Sequence, residues 1–111
     1  MDGLLVLTNL PDRQSAEKLA DLLIERRLAA CVNVLAPCAS VYRWQGEVQH
    51  DEEYPLLIKT VKNRYAELEA SIRANHPYEL PEIIAVRVAD GLPAYLEWVE
   101  SETHHNDDER A

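Results

Sequence analysis

The sequence predicts an α+β domain, and three observations predict it. Short apolar runs of strand character alternate with amphipathic stretches in the order β-α-β-β-α-β, followed by a terminal helix. The 111-residue length fits one domain. A composition of 47% hydrophobic and 28% charged residues is that of a globular chain with one core. Two split βαβ units in this order make an antiparallel sheet with both main helices on one face, the ferredoxin-like arrangement.

The elements follow in turn. Gly3 to Thr8 is a continuous apolar run bounded by Asn9-Leu10-Pro11, expected as a strand buried on both faces. Asp12 is expected to cap a helix over about 13–27, with Ala16, Leu19, Ala20, Leu23 and Arg27 on one face. From Cys31 the period becomes two, and the strand breaks at Ala36-Pro37 because proline cannot donate to a ladder. It resumes at Ser40 with Tyr42, Trp44, Gly46 and Val48 on one side, and Val41, Arg43, Gln45 and Glu47 on the other. A polar turn is expected at Gln49-His50-Asp51-Glu52, with a return strand from Tyr54 to Val61. Asn63 is expected to cap a helix over about 64–75, which Pro77 and Pro81 forbid from continuing. Ile83 to Ala89 is expected as a strand, and Pro93 near the first position of a last helix carrying Tyr95, Leu96, Trp98 and Val99.

The long central hairpin, with arms of about 31–48 and 53–62, exceeds the usual strand length. A strand of about 16 residues reaches roughly 50 Å, against a radius of gyration of about 13 Å for a compact 100-residue domain. The hairpin must therefore overhang. An overhang carrying Tyr42, Trp44 and Tyr54 on free edges calls for cover by another subunit. Strand length thus implies an obligate oligomer without fixing its symmetry.

The net charge of −9 argues against a nucleic-acid binder and against an anionic membrane surface. No run of about 20 apolar residues is present to span a membrane. The start has no basic stretch and an apolar run too short for a signal peptide, so a cytoplasmic chain is expected. Two cysteines, Cys31 and Cys38, make no secreted disulfide scaffold. The domain is expected over 1–102, and 103–111 as a disordered acidic tail.

The densest polar-aromatic cluster runs from His76 to Glu82. A histidine at a helix C-terminus is held as the cation by the dipole in one reading. In the other, His76, Glu79 and Glu82 offer nitrogen and oxygen donors to a divalent cation. Lys59 sits inside a strand, either snorkelling or paired with Glu53, Glu79 or Glu82, or else as an anion contact in an inter-subunit cleft. The odd spacing of Cys31 and Cys38 points them to opposite faces unless the break at Pro37 shifts the parity. Either thiol suits copper(I), and His104-His105 in the tail add weak metal donors. There is no HExxH, serine elbow or glycine-rich phosphate loop, so no enzyme is expected.

Several stretches together resemble one family. They are Leu28-Ala29-Ala30-Cys31-Val32-Asn33-Val34, Ser40-x-Tyr42-x-Trp44-x-Gly46, Leu57-Ile58-Lys59-Thr60, His76-Pro77-Tyr78-Glu79-x-Pro81-Glu82 and Tyr95-x-x-Trp98. They resemble the CutA family of divalent-cation tolerance proteins over about residues 4–100. The resemblance implies a homotrimer of ferredoxin-like subunits joined by inter-subunit strand pairing, with an architecture similar to PII signalling proteins. It implies a non-enzymatic protein binding a divalent metal, copper or zinc, or a small ligand between subunits, with no obligatory cofactor. Lys59, Tyr78, Glu79 and Glu82 would line that cleft, His76 and Cys31 would offer metal donors, and Tyr42, Trp44 and Trp98 would hold the trimer. Copper binding is attributed to some members through a cysteine near the end of the first strand and two histidines before Pro-Tyr. Here those positions are Thr8 and Asn75-His76, so His76 alone matches. The alternative is a PII-like sensor or scaffold whose ligand is a metabolite or a protein.

Overall fold

The computed structural model describes residues 2–104. His105 and the other residues of 105–111 lie outside the described residues.

The α+β fold is formed as expected. Strand β1 (Gly3–Leu10) leads into α1 (Arg13–Glu25), then β2 (Cys31–Val34), β3 (Cys38–Trp44) and β4 (Glu47–Val61). Helix α2 (Tyr65–Asn75), β5 (Ile84–Arg87) and α3 (Pro93–Glu102) complete the order. The sheet runs β2-β4-β1-β5, all pairs antiparallel, and β3 continues along the far half of β4. The break at Leu35–Pro37 divides the first hairpin arm into β2 and β3.

Leu4, Val6, Leu10, Leu56 and Ile58 of the sheet meet Leu19 and Leu23 of α1 and Leu68 and Ile72 of α2 in one core. Both helices therefore cover the same sheet face. β1 alternates buried with half-buried residues, so it is covered on one face only. The expected burial on both faces fails because helices pack on one side alone, leaving Leu5, Leu7, Leu57, Ile84 and Val86 on the open side.

Asp12 caps α1 by accepting the Ser15 N–H at 2.7 Å. The other end closes as a Schellman turn, with Leu28 N–H bonding Leu23 O and Arg27 N–H bonding Ile24 O. Arg27 takes a left-handed φ of 56° there. Arg64, 5% exposed, donates to the carbonyls of Arg26 and Arg27. These are groups a helix end leaves without partners. Asn63 does not cap α2. The chain enters through a 3-10 turn at Lys62–Arg64, which places Arg64 rather than Asn63 before the helix.

The hairpin turn is Gln45-Gly46, not 49–52. Trp44 pairs Glu47, and the two intervening residues have φ of 51° and 83°. Positive φ at both central positions is the type I′ signature that matches strand twist. The residues at 49–52 are strand, polar because both sides of the ribbon are exposed there. The correction changes the faces. Tyr42 and Trp44 share a side with Glu47, Gln49 and Asp51, while Val48 lies with Val41 and Arg43.

The 15 residues of β4 match a molecular long axis of 51 Å. The radius of gyration, 14.9 Å, exceeds the compact value because β4 passes Tyr54, the last residue paired to β1, by seven residues. That overhanging ribbon has one partnered and one free edge on each strand among the described residues. Thr103, expected in the tail, is 1% exposed and bonds back to Val99 and Glu100, closing α3.

Candidate functional site

The open side of the sheet continues onto one face of the ribbon, and there the 76–82 loop folds over it. Between them lies a cleft of about 660 Å³, lined by ribbon residues Ser40, Tyr42, Trp44, Asp51 and Glu53, by Asn9 of β1, and by loop residues including Tyr78, Glu79 and Glu82. Its wall carries four carboxylates and no basic side chain.

Strand geometry assembles the ribbon side. The register Ser40↔Asp51 and Cys38↔Glu53 puts these side chains on one face. The Tyr42 hydroxyl donates to Asp51 across the diagonal. That bond, with the nearby carboxylates, raises the Tyr42 pKa. Glu53 is only 7% exposed and accepts from the Tyr78 hydroxyl. Burial first, then Glu53, pushes the Tyr78 pKa well above its ordinary value. The charges of Asp51 and Glu53 add a smaller upward push on both tyrosines.

The loop is tied to β1 at two points. Asn9 Nδ2 donates to Glu82 at 3.1 Å. The His76 ring spans Asn9 O, 2.7 Å from Nε2, and the Tyr78 N–H, 3.2 Å from Nδ1. His76 is not held as a cation by the α2 terminus. Burial lowers its pKa, against smaller upward effects of the Asn9 carbonyl and Glu53.

The expected site residues divide. Tyr78, Glu79 and Glu82 meet in the cleft. Lys59 shares the sheet face but lies four strand residues beyond Pro55, the residue opposite Asn9, about 13 Å along β4. Its ammonium meets Asn33 Oδ1, with Cys31 Sγ at 3.9 Å, and not Glu53, Glu79 or Glu82. Cys31 is therefore separated from His76 and cannot share a metal with it in one chain. Cys31 and Cys38 both point to the open face, because the break before Cys38 shifts the strand parity; both are free thiols. Tyr42 and Trp44 sit on the ribbon and Trp98 on α3, whose Leu96 packs by Gly3 at the other end of β1. Asp51 and Asn9 escaped the sequence reading as cleft residues, and Glu53 entered it only as a partner for Lys59. The signal for the two acids was their two-residue spacing, visible once the segment is taken as strand.

The donors do not fit a chelated metal within one chain. Among the described residues no group of three or more His, Cys, Asp or Glu side chains could hold an ion. Both His76 nitrogens are engaged.

Fold and cleft define an α+β protein of ferredoxin-like topology with an anionic, aromatic-walled cleft beside an overhanging ribbon. The family description "CutA1 divalent ion tolerance protein" matches residues 4–102, and the chain belongs to that family. It is 44% identical over 98 residues to the divalent-cation tolerance protein CutA of Thermus thermophilus, covering 88% of this chain and 95% of that one. It is 39% identical over 103 residues to a chloroplastic CutA of Arabidopsis thaliana, covering 93% of this chain and 57% of that longer protein. The crystal structure of CutA from Xylella fastidiosa superposes with a TM-score of 0.91 at 43% identity, covering 94% and 100% of the two chains. No helix among the described residues is long and apolar enough to cross a membrane.

Proposed function

We propose that the chain is one subunit of a non-enzymatic, cytoplasmic homotrimer that acts in divalent-cation tolerance by gathering cations, or a small ligand, in the cleft where subunits meet. The observation that carries this is the four-carboxylate wall with no basic side chain. In a cavity walled by apolar rings such a field concentrates cations. Without a preformed set of three donors, a cation is held there by charge, with much of its water, so binding weakens as salt rises. The family's name supports the tolerance role.

Two features support a closed ring. Exposed aromatic patches lie at opposite ends of the subunit, Tyr42 and Trp44 on the ribbon and Tyr95 and Trp98 on α3. Patches so placed suit a head-to-tail interface that closes by rotation. The open sheet face, with Ile84 and Val86 about half exposed, offers the apolar area such an assembly buries.

The PII-like reading, with a metabolite or protein as ligand and metal incidental, is favoured by the cleft volume of about 660 Å³. That is the size of a small-molecule site.

Native mass spectrometry of the full chain with copper(II) or zinc(II), beside Asp51→Asn/Glu79→Gln and a His104→Ala/His105→Ala control, tests the proposal. A trimer whose retained metal is lost in the carboxylate variant, and kept in the control, is expected. Metal binding unaffected by the carboxylate variant overturns the cleft. A trimer retaining no metal moves the function to the PII-like reading, and a monomer overturns the assembly.

A further inference from the structure

We propose that the cleft takes an organic polycation: an aliphatic amine with two or more ammonium groups, whose charges meet the carboxylates and whose methylene stem lies against Tyr42, Trp44 and Tyr78. This names the ligand class for the cation reading given above and rests on that reading.

The carboxylates are held singly rather than gathered. Asp51 accepts from the Tyr42 hydroxyl, Glu53 from the Tyr78 hydroxyl and Glu82 from the Asn9 amide. Each of these donors is neutral, so it steadies the carboxylate without cancelling its charge. A carboxylate also keeps further acceptor sites after one bond. Glu53 shows the consequence most clearly. It is 7% exposed, and no Lys or Arg side chain pairs with it among the described residues. A carboxylate buried so deeply ordinarily has a cationic partner. Asp51 and Glu53 lie two residues apart on one face of β4, about 7 Å along the strand. Glu79 and Glu82 stand on the loop that folds over the ribbon.

This spacing suits separate ammonium groups better than a single metal ion. A divalent ion binds tightly where several oxygens converge on one point. Among the described residues no group of three or more such side chains does so. Drawing the carboxylates together would break their bonds to Tyr42, Tyr78 and Asn9. An ion held by charge alone keeps its water and gains nothing from the aromatic rings. An alkylammonium uses both kinds of wall. Its three N–H groups donate to the open carboxylate oxygens, its charge is attracted to ring faces, and its stem buries apolar area against the same rings. One ammonium would balance one carboxylate of four, so two or more match the wall. The volume of about 660 Å³ is that of a small organic ligand.

The test is isothermal titration calorimetry of the full chain with 1,4-diaminobutane. The comparison ligands are n-butylamine, 1,4-butanediol and magnesium(II), at matched ionic strength. Saturable diamine binding is expected, about tenfold or more tighter than the monoamine or magnesium(II), with none for the diol. Asp51→Asn/Glu79→Gln should weaken diamine binding about tenfold or more. Tyr78→Leu, which removes one ring, should weaken it about threefold to thirtyfold. Should that variant fail to fold, the diamine-to-magnesium(II) ratio on the natural chain decides. Magnesium(II) binding as tightly as the diamine would mean that charge alone acts, and overturns the proposal. So does diamine binding that the carboxylate variant leaves unchanged. Lys59 shares the open face and meets no carboxylate of its own chain. Diamine binding that appears only in Lys59→Gln would assign the cleft to a second copy's ammonium, and also overturns the proposal. Zinc(II) retained by the cleft without any diamine binding overturns this ligand class and leaves the cation reading standing; loss of both overturns the two together.

Discussion

Strand β4 is two strands in one. From Tyr54 to Val61 it lies between β1 and β2, and Leu56, Ile58 and Thr60 are almost wholly buried under the helices. From Glu47 to Glu53 it pairs only β3, and every residue is exposed or half-buried except Glu53. Backbone geometry is continuous across the boundary, while the cover changes. The inner half is stabilised by apolar burial within the chain. The outer half has no core beneath it; with Tyr42 and Trp44 of β3 beside it, its buried Glu53 lines the cleft instead.

The contrast breaks most plainly at Ile58, which is 0% exposed. Ile58→Ala should cost about 2–5 kcal/mol, read as a lowered denaturant midpoint with an unchanged slope. On the ribbon, Trp44→Ala should leave the subunit folded but weaken assembly by about 2–4 kcal/mol, as removal of an aromatic anchor does. Dilution-dependent native mass should show this, and an unchanged trimer mass would refute the role. Glu53→Gln should cost about 1–2 kcal/mol by weakening one buried hydrogen bond. It should also lower the Tyr78 pKa while leaving it above its ordinary value, since burial remains the larger cause. Spectrophotometric tyrosine titration reads that shift. Val48→Ala, at a residue 53% exposed, should change stability by no more than about 0.5 kcal/mol. A loss as large as at Ile58 would mean that the ribbon has a core of its own.

The inner half was legible in the sequence and the outer half was not, for the same reason. Leu56-Leu57-Ile58 announces a strand because burial selects apolar side chains. Gln49-His50-Asp51-Glu52 reads as a turn because a ribbon in water needs no apolar side chains, and exposed strand then has the composition of a loop. Gly46 held the missing signal, a two-residue turn flanked by Trp44 and Glu47. The His76–Asn9 contact joins residues 67 apart, and nothing local marks it. Tyr78, Glu79 and Glu82, which line the cleft, stand out in the sequence because they crowd one loop. The pairing of Lys59 with Glu53, Glu79 or Glu82 does not form within the chain, because strand register, not sequence distance, sets which acids it can reach.

The two-residue turn at Gln45-Gly46 also limits how the hairpin can change in length. Deleting one residue from a single strand slips the register and carries Tyr42 or Asp51 to the opposite face. Deleting one from each strand moves the closing pair from a hydrogen-bonded to a non-hydrogen-bonded position, where this turn no longer fits. Length can therefore change without loss only in steps of two residues per strand, about 7 Å at a time. The reach of the ribbon is thus a quantised trait. Insertions and deletions that preserve function in this segment should come in fours, divided evenly about Gly46.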